Sequence, residues 1–142
     1  MTYYLIDTNI LSKLFKKNPD EALHEKINKL IGLGQSIYIS AITYYEIKRG
    51  LLSINAHGKL SYFENLCKEY KIIYLESHEL FNEASNIYAD LYKKGKLISD
   101  ADILIAATAK FHELTLISDD RDFENIEGLN CIKTSNWLTQ PI

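Results

Sequence analysis

The sequence predicts one α/β domain built on a mostly parallel central sheet of about five strands, with helices on both faces. Short apolar runs of strand-forming residues alternate along the chain with longer segments of helical pattern. Strands that alternate with helices need crossover connections, which make neighbouring strands parallel. The chain has 142 residues, of which 46% are hydrophobic and 25% charged, as in ordinary globular proteins. We therefore expect residues 1–142 to form a single domain.

The strand-like runs are short, apolar and rich in Ile, Leu and Tyr. Each is bounded by polar or turn-forming residues, which is typical of strands buried in a parallel sheet. We expect strands at residues 3–6, 36–39, 71–75 and 114–118, with a weaker strand at 131–133.

Helices are predicted between these strands. One begins near Asp20, after Pro19, and ends at the glycines that follow residue 31. A second carries apolar residues three and four positions apart from Leu80 to Tyr92 and ends near Gly95. The segment at residues 103–111 is apolar almost all round, which is typical of a helix packed centrally against the sheet.

Acidic residues lie where the predicted strands end, and ligands of open parallel sheets bind at that edge. Four separate segments bring acids there: Asp7 after the first strand, Glu46 after the second, Asp100 and Asp102 at the start of the apolar helix, and Asp120 and Asp122 after the fourth strand. Five hydroxyl or amide residues nearby can orient ligands or water: Thr8, Asn9, Ser12, Thr43 and Ser118.

Taken singly, each acid has an ordinary structural explanation. Asp7 can cap a helix, Glu46 and Asp102 each lie three residues after a hydroxyl residue as in a capping box, and the acids near Asp120 fit a solvated turn. Four independent caps need not converge, whereas the α/β topology brings these segments to one edge. Two carboxylates about 4 Å apart repel by roughly 4 kcal/mol at an effective dielectric constant near 20, so such a cluster needs protons or a metal ion.

A cluster of carboxylates without His or Cys favours Mg²⁺ or Mn²⁺ over zinc. Such a site suits phosphoryl chemistry, because a metal ion can activate a water for attack and a second ion can stabilise the leaving oxygen. The formal net charge of −3 taken alone argues against a nucleic-acid partner, because such proteins usually have a basic surface. If four of the 19 acids bind metal, however, 15 acids remain against 16 Lys and Arg, and the rest of the surface is close to neutral.

Four motifs resemble those of PIN-domain ribonucleases, in particular the VapC-type toxins of bacterial toxin–antitoxin pairs. They are MTYYLIDTNILS at the start, SAITYYEIKRG from Ser40, DADILIAATA from Asp100 and LISDDRDF from Leu116. The resemblance implies a Mg²⁺- or Mn²⁺-dependent endoribonuclease that cleaves RNA by metal-activated water and acts as the toxin of a type II pair. It also implies that Asp7, Glu46, Asp102 and Asp120 are the catalytic, metal-binding acids.

The resemblance leaves the fourth acid open, because some relatives supply it two residues later, which here is Asp122. Asp100 ranks below Asp102, since Asp102 carries the D-x-x-I-A pattern. Ser118 stands where the family has Thr, a change that keeps the hydroxyl. RNA contacts are expected from basic residues near these motifs: Lys13, Lys16, Lys17, Lys48, Arg49 and Arg121.

The family also implies two protein partners, a small antitoxin and a second copy of the chain. No apolar run approaches the roughly 18 residues that a membrane helix needs, so we expect a cytoplasmic protein. Two rival functions are a metal-stabilised binding module without catalysis and a Mg²⁺-dependent phosphatase-like enzyme. Such phosphatases need D-x-D after the first strand, and this chain has D-T-N.

Overall fold

The computed structural model describes residues 2–142, so that only the first residue of the predicted domain lies outside it. Its centre is a five-stranded, all-parallel sheet with the strand order β3-β2-β1-β4-β5. The strands are β1 (Tyr4–Ile6), β2 (Ile37–Ser40), β3 (Lys71–Ile73), β4 (Thr115–Ile117) and β5 (Cys131–Ile132). The predicted fold class is confirmed, and each strand lies within one or two residues of its predicted bounds.

Seven α-helices and one 3-10 helix lie between or after the strands in the described chain. They are α1 (Thr8–Ser12), α2 (Glu21–Gly32), α3 (Ala41–Ser53), α4 (His57–Glu69), α5 (His78–Lys94), α6 (Asp100–Phe111) and α7 (Thr134–Thr139), with the 3-10 helix at Arg121–Asn125. The side chains of Asp20, Ser77 and Ser99 cap α2, α5 and α6. Gly95 ends α5 in the left-handed conformation, with a φ of 67° that glycine adopts without strain.

The two faces of the sheet bury separate hydrophobic clusters, because successive side chains of a strand point to opposite faces. Ile6 packs with α1, α2, α3, α4 and α7, whereas its neighbour Leu5 packs with α5 and α6. Helices therefore cover both faces, as predicted. Among residues 2–142, no helix is both long and apolar enough to cross a bilayer.

The strand order decides which chain segments meet. Strand β1 lies in the middle of the sheet, between β2 and β4. Ile6 is paired with Ile117, and the amide of Asp7 donates a hydrogen bond to the carbonyl of Ile117 over 3.1 Å. The residues that follow β1, β2 and β4 therefore start from adjacent points on one edge of the sheet.

Candidate active site

Asp7 is buried at the carboxyl end of β1, with 3% of its surface exposed. Its Oδ1 accepts a hydrogen bond from the amide of Thr8 over 2.8 Å, and its Oδ2 accepts one from the hydroxyl of Ser118 over 2.7 Å. Burial raises the pKa of Asp7 to about 6, and the negative charges of Asp102 and Asp120 add to this rise, although the two hydrogen bonds oppose it. Asp7 thus caps α1 and also faces other acids.

Glu46 lies on α3 and is held by a pair of threonines. The Thr8 hydroxyl donates to Glu46 Oε1 over 2.8 Å, and the hydroxyls of Thr8 and Thr43 are 2.9 Å apart. Because a hydroxyl has a single proton to donate, the buried Thr43 donates to Thr8, which donates to Glu46. The guanidinium of Arg49 lies 3.9 Å from the other oxygen, Oε2.

Asp102 lies in the first turn of α6, and its amide donates to the capping hydroxyl of Ser99 over 3.2 Å. Its pKa is raised, mainly by burial and further by the charges of Asp120, Glu46 and Asp122, while a hydrogen bond with Ser99 opposes the rise. The acids on α3, on α6 and after β4 therefore interact with one another.

Asp120 and Asp122 both approach Asp102. One carboxylate oxygen from each of the three residues lies within 4.8 Å of the others. Asp120 Oδ1 also accepts from the amide of Asp122 over 2.9 Å, which caps the 3-10 helix. The structure thus brings both candidates for the fourth acid to the same place. We refer to Asp7, Glu46, Asp102, Asp120 and Asp122 as the acidic cluster.

Similarity to known proteins agrees with this geometry. The sequence pattern of the PIN domain family matches residues 4–129. The chain belongs to the PIN-domain family. It is 34% identical over 134 residues to VapC ribonuclease Y4jK of Sinorhizobium fredii, covering 90% of this chain and 94% of that protein. It is 33% identical over 141 residues to ribonuclease VapC2 of Haemophilus influenzae, covering 97% of this chain and all of the relative (100%).

The fold of this PIN domain is also found in a solved toxin–antitoxin structure. DNA-bound VapBC from Salmonella typhimurium is similar with a TM-score of 0.80 and 25% identity, over 94% of this chain and 98% of that one. The resemblance predicted from the four motifs is therefore confirmed. Within the PIN-domain family, the chain groups with the VapC ribonucleases.

The acidic cluster of this PIN domain suits a divalent cation. Within residues 2–142, no Lys, Arg or His lies within 4.0 Å of the carboxylates of Asp7, Asp102, Asp120 or Asp122. The charge of these acids is therefore not neutralised by neighbouring side chains. Their ligand atoms are carboxylate oxygens alone, which Mg²⁺ and Mn²⁺ prefer.

Three of the predicted site residues do not join the acidic cluster. Asp100 is exposed and borders a groove with Phe81 and Tyr88 rather than joining the three carboxylates. Asn9 is exposed, and the hydroxyl of Ser12 donates to the carbonyl of Asn9 over 2.9 Å, within α1. Of the five orienting residues, Thr8 and Ser118 donate hydrogen bonds to acids of the cluster, and Thr43 reaches the cluster through Thr8.

The predicted RNA-contacting residues fall into two groups. Lys16, Lys17 and Arg121 are exposed. The other three are engaged: Lys13 pairs with Asp119 at 3.2 Å, Lys48 with Glu64 at 3.0 Å and Tyr44 at 3.0 Å, and Arg49 lies over the ring of Tyr45 at 4.9 Å.

Asp119 has a structural role that the sequence analysis missed. Its carboxylate accepts hydrogen bonds from the amide and the hydroxyl of Thr134 and from Lys13. Burial opposes ionisation, but these bonds outweigh it and hold the pKa of Asp119 below its ordinary value. The available signal was the alternation of side chains in an extended segment. After β4, this alternation turns the side chain of residue 119 away from the side where those of residues 118 and 120 lie.

Proposed function

We propose that this PIN-domain protein is a Mg²⁺- or Mn²⁺-dependent endoribonuclease whose acidic cluster binds the cation. The observation that supports it best is the approach of Asp102, Asp120 and Asp122 within 4.8 Å, beside a buried Asp7 that no Lys, Arg or His of residues 2–142 approaches within 4.0 Å. Holding negatively charged carboxylates this close together costs free energy unless a cation offsets their repulsion. Family membership among VapC ribonucleases supports RNA as the substrate.

A bound divalent cation supplies two things there, a lower pKa for a water nucleophile and neutralisation of charge on the phosphodiester. The protein supplies orientation. Ser118 and the Thr8 amide fix both oxygens of Asp7. The Thr8 hydroxyl fixes Oε1 of Glu46. The other oxygen, Oε2, lies 3.9 Å from the Arg49 guanidinium and would be the one to bind the cation or to accept a proton from the attacking water.

RNA must approach a site that is itself negative, so cations at its margin have to attract the phosphates. Arg49 reaches Glu46, and Lys13 reaches Asp119 beside the cluster. Lys16 and Lys17 are exposed on the loop between α1 and α2, and Arg121 is exposed on the 3-10 helix. These side chains can contact the phosphates of an RNA chain that extends beyond the acidic cluster. We assign these side chains to backbone contacts rather than to base recognition.

We further propose that the protein acts as a toxin that a small antitoxin blocks, and that it forms a homodimer. VapBC complexes among its structural neighbours support the antitoxin. Exposed aromatic side chains suited to interfaces lie on α3 and α5, namely Tyr45, Phe81, Tyr88 and Tyr92. We infer that the protein acts in the cytoplasm, where RNA and an antitoxin would be available to it.

RNA cleavage by the purified protein tests the enzyme. We expect total RNA to be cut in the presence of Mg²⁺ or Mn²⁺ and left intact in excess EDTA. Asp102→Asn should abolish cleavage, whereas Asp100→Asn, an exposed acid on the same turn of α6, should not. Cleavage by Asp102→Asn protein would contradict the proposal.

Partner binding is tested separately. The product of a small reading frame beside this gene should form a complex with the protein and suppress its ribonuclease activity. Light scattering of the protein alone should give about twice the mass of one chain. A monomer that still cleaves RNA would contradict the homodimer and leave the enzyme proposal standing.

A further inference from the structure

The turn after β4 carries Asp120 and Asp122 of the acidic cluster. Asp119 holds this turn in place through hydrogen bonds on the side that faces α7. Asp119 Oδ1 accepts from the amide of Thr134 over 2.9 Å. Its Oδ2 accepts from the hydroxyl of Thr134 over 2.5 Å and from Lys13 Nζ over 3.2 Å. Thr134 is itself buried, so the anchor is part of the packed structure.

The inner side of the same turn is fastened by Ser118. Its hydroxyl donates to Asp7 Oδ2 over 2.7 Å and accepts from the amide of Asp120 over 3.1 Å. Residues 118–120 are thus hydrogen-bonded on two sides, to the acidic cluster through Ser118 and to α7 through Asp119. Asp120, the last residue of this segment, and Asp122, two positions later, face Asp102.

Charge repulsion makes the outer anchor important. Before a cation binds, the carboxylates of Asp120 and Asp122 are repelled by that of Asp102. A turn held on one side only can relax away from α6 and reduce this repulsion. A cation would then have to pull the turn back, and its apparent affinity falls by the fraction of molecules in the closed arrangement.

We propose that Asp119 is a positioning residue for the metal site and that Thr134, at the start of α7, is its anchor. This inference rests on the proposed function, because it assumes that the acidic cluster binds a divalent cation. Thr134 lies beyond residue 129, where the match to the PIN domain family ends. The C-terminal segment therefore takes part in organising the site instead of only covering the sheet.

Calorimetric titration with Mn²⁺, without RNA and well below the melting temperature, tests the role of the anchor. Asp119→Ala and Thr134→Val should each weaken Mn²⁺ binding by about tenfold. This is the lower end of the loss in metal affinity that follows when a residue that orients the metal ligands is removed. Thr134→Ser keeps the hydroxyl and the amide, so its Kd should stay close to that of the wild type.

A matched control is an exposed ion pair that joins the same two segments. Lys133 Nζ lies 3.8 Å from Glu124 Oε1, and neither side chain contacts the acidic cluster. Glu124→Ala and Lys133→Ala should leave the Kd for Mn²⁺ unchanged. If Asp119→Ala does not fold, Asp119→Asn serves instead, since its amide group has the same shape but cannot pair with Lys13 or accept at both positions.

Three outcomes would overturn the inference. A Kd within twofold of the wild type, with only the melting temperature lowered, would assign Asp119 a purely structural role. A wild-type protein that cleaves RNA while all anchor variants bind Mn²⁺ equally well would refute the anchor and leave the proposed function intact. A wild-type protein that neither binds Mn²⁺ nor cleaves RNA would remove both.

Discussion

The hydroxyl of Ser118 donates a hydrogen bond to Asp7 Oδ2 over 2.7 Å, and both residues are buried. They lie 111 positions apart in the sequence and meet because Ile6 and Ile117, the residues before them, are paired across β1 and β4. The parallel register thus gives the buried carboxylate of Asp7 a donor that local structure could not provide.

Removal of this donor should change the ionisation of Asp7. Ser118→Ala leaves Oδ2 without its buried partner, and a hydrogen bond to a charged group contributes about 1.5–3 kcal/mol. We expect the pKa of Asp7 to rise further and the acidic limb of the pH–activity profile to move to higher pH. Ser118→Thr should restore the wild-type profile. Identical profiles for Ser118→Ala and the wild type would show that Asp7 does not titrate in the activity.

Asp7 should also make the stability of the metal-free protein depend on pH. Its pKa is raised from 3.8 to about 6 mainly by burial, so the folded state favours the protonated carboxyl. This stabilisation is fully present below about pH 4 and is lost as the pH rises through 6, a change of about 3 kcal/mol. Asp7→Asn cannot ionise and should lack this loss.

The measurement is urea unfolding in EDTA at pH 4 and pH 8. The free energy of unfolding of the wild type minus that of Asp7→Asn should fall by about 3 kcal/mol between these two pH values. Groups present in both proteins largely cancel in this difference. A difference that does not change with pH would contradict the raised pKa.

The sequence predicts the sheet and its acids because both depend on local signals. Strands are marked by apolar runs, and Asp7 and Asp120 follow strands whose carboxyl ends share an edge in any parallel sheet. Helix α4 has weaker sequence signals, since its N-cap residue is Ala56, whose side chain cannot accept a hydrogen bond from the first turn. Its packing against α3 and β3 is a tertiary property that periodicity alone does not specify.

The choice between Asp120 and Asp122 illustrates what sequence spacing cannot decide. Both are compatible with the family pattern, and which carboxylate faces Asp102 depends on the 3-10 helix after β4. In the structure both do, because Asp120 caps that helix and Asp122 lies in its first turn. The bonds of Asp119 were likewise hidden, since Thr134 follows a separate strand 15 positions later.

Asp120 and Asp122 should contribute unequally to metal binding. Asp120 is half-buried and its charge acts on both Asp7 and Asp102, whereas Asp122 is exposed and its charge acts on Asp102. We therefore expect Asp120→Asn to weaken Mn²⁺ binding and RNA cleavage more than Asp122→Asn does. Calorimetric titration and cleavage rates at fixed Mn²⁺ compare the two variants directly. A larger loss from Asp122→Asn would make Asp122 the principal fourth acid.

Mg²⁺ should raise the melting temperature of the wild-type protein, and Asp102→Asn should remove most of that response. A ligand that binds only the folded state stabilises it by about 2.7 kcal/mol at a hundredfold excess over its Kd, which shifts a domain of this size by several degrees. In EDTA, Asp102→Asn should be at least as stable as the wild type, because it removes a partly buried charge that repels Asp120 and Glu46. Thermal unfolding monitored by circular dichroism, with NaCl matched for ionic strength, separates specific binding from screening. Equal shifts for both proteins would mean that Mg²⁺ acts elsewhere, whereas a less stable Asp102→Asn in EDTA would show that its hydrogen bonding outweighs the repulsion.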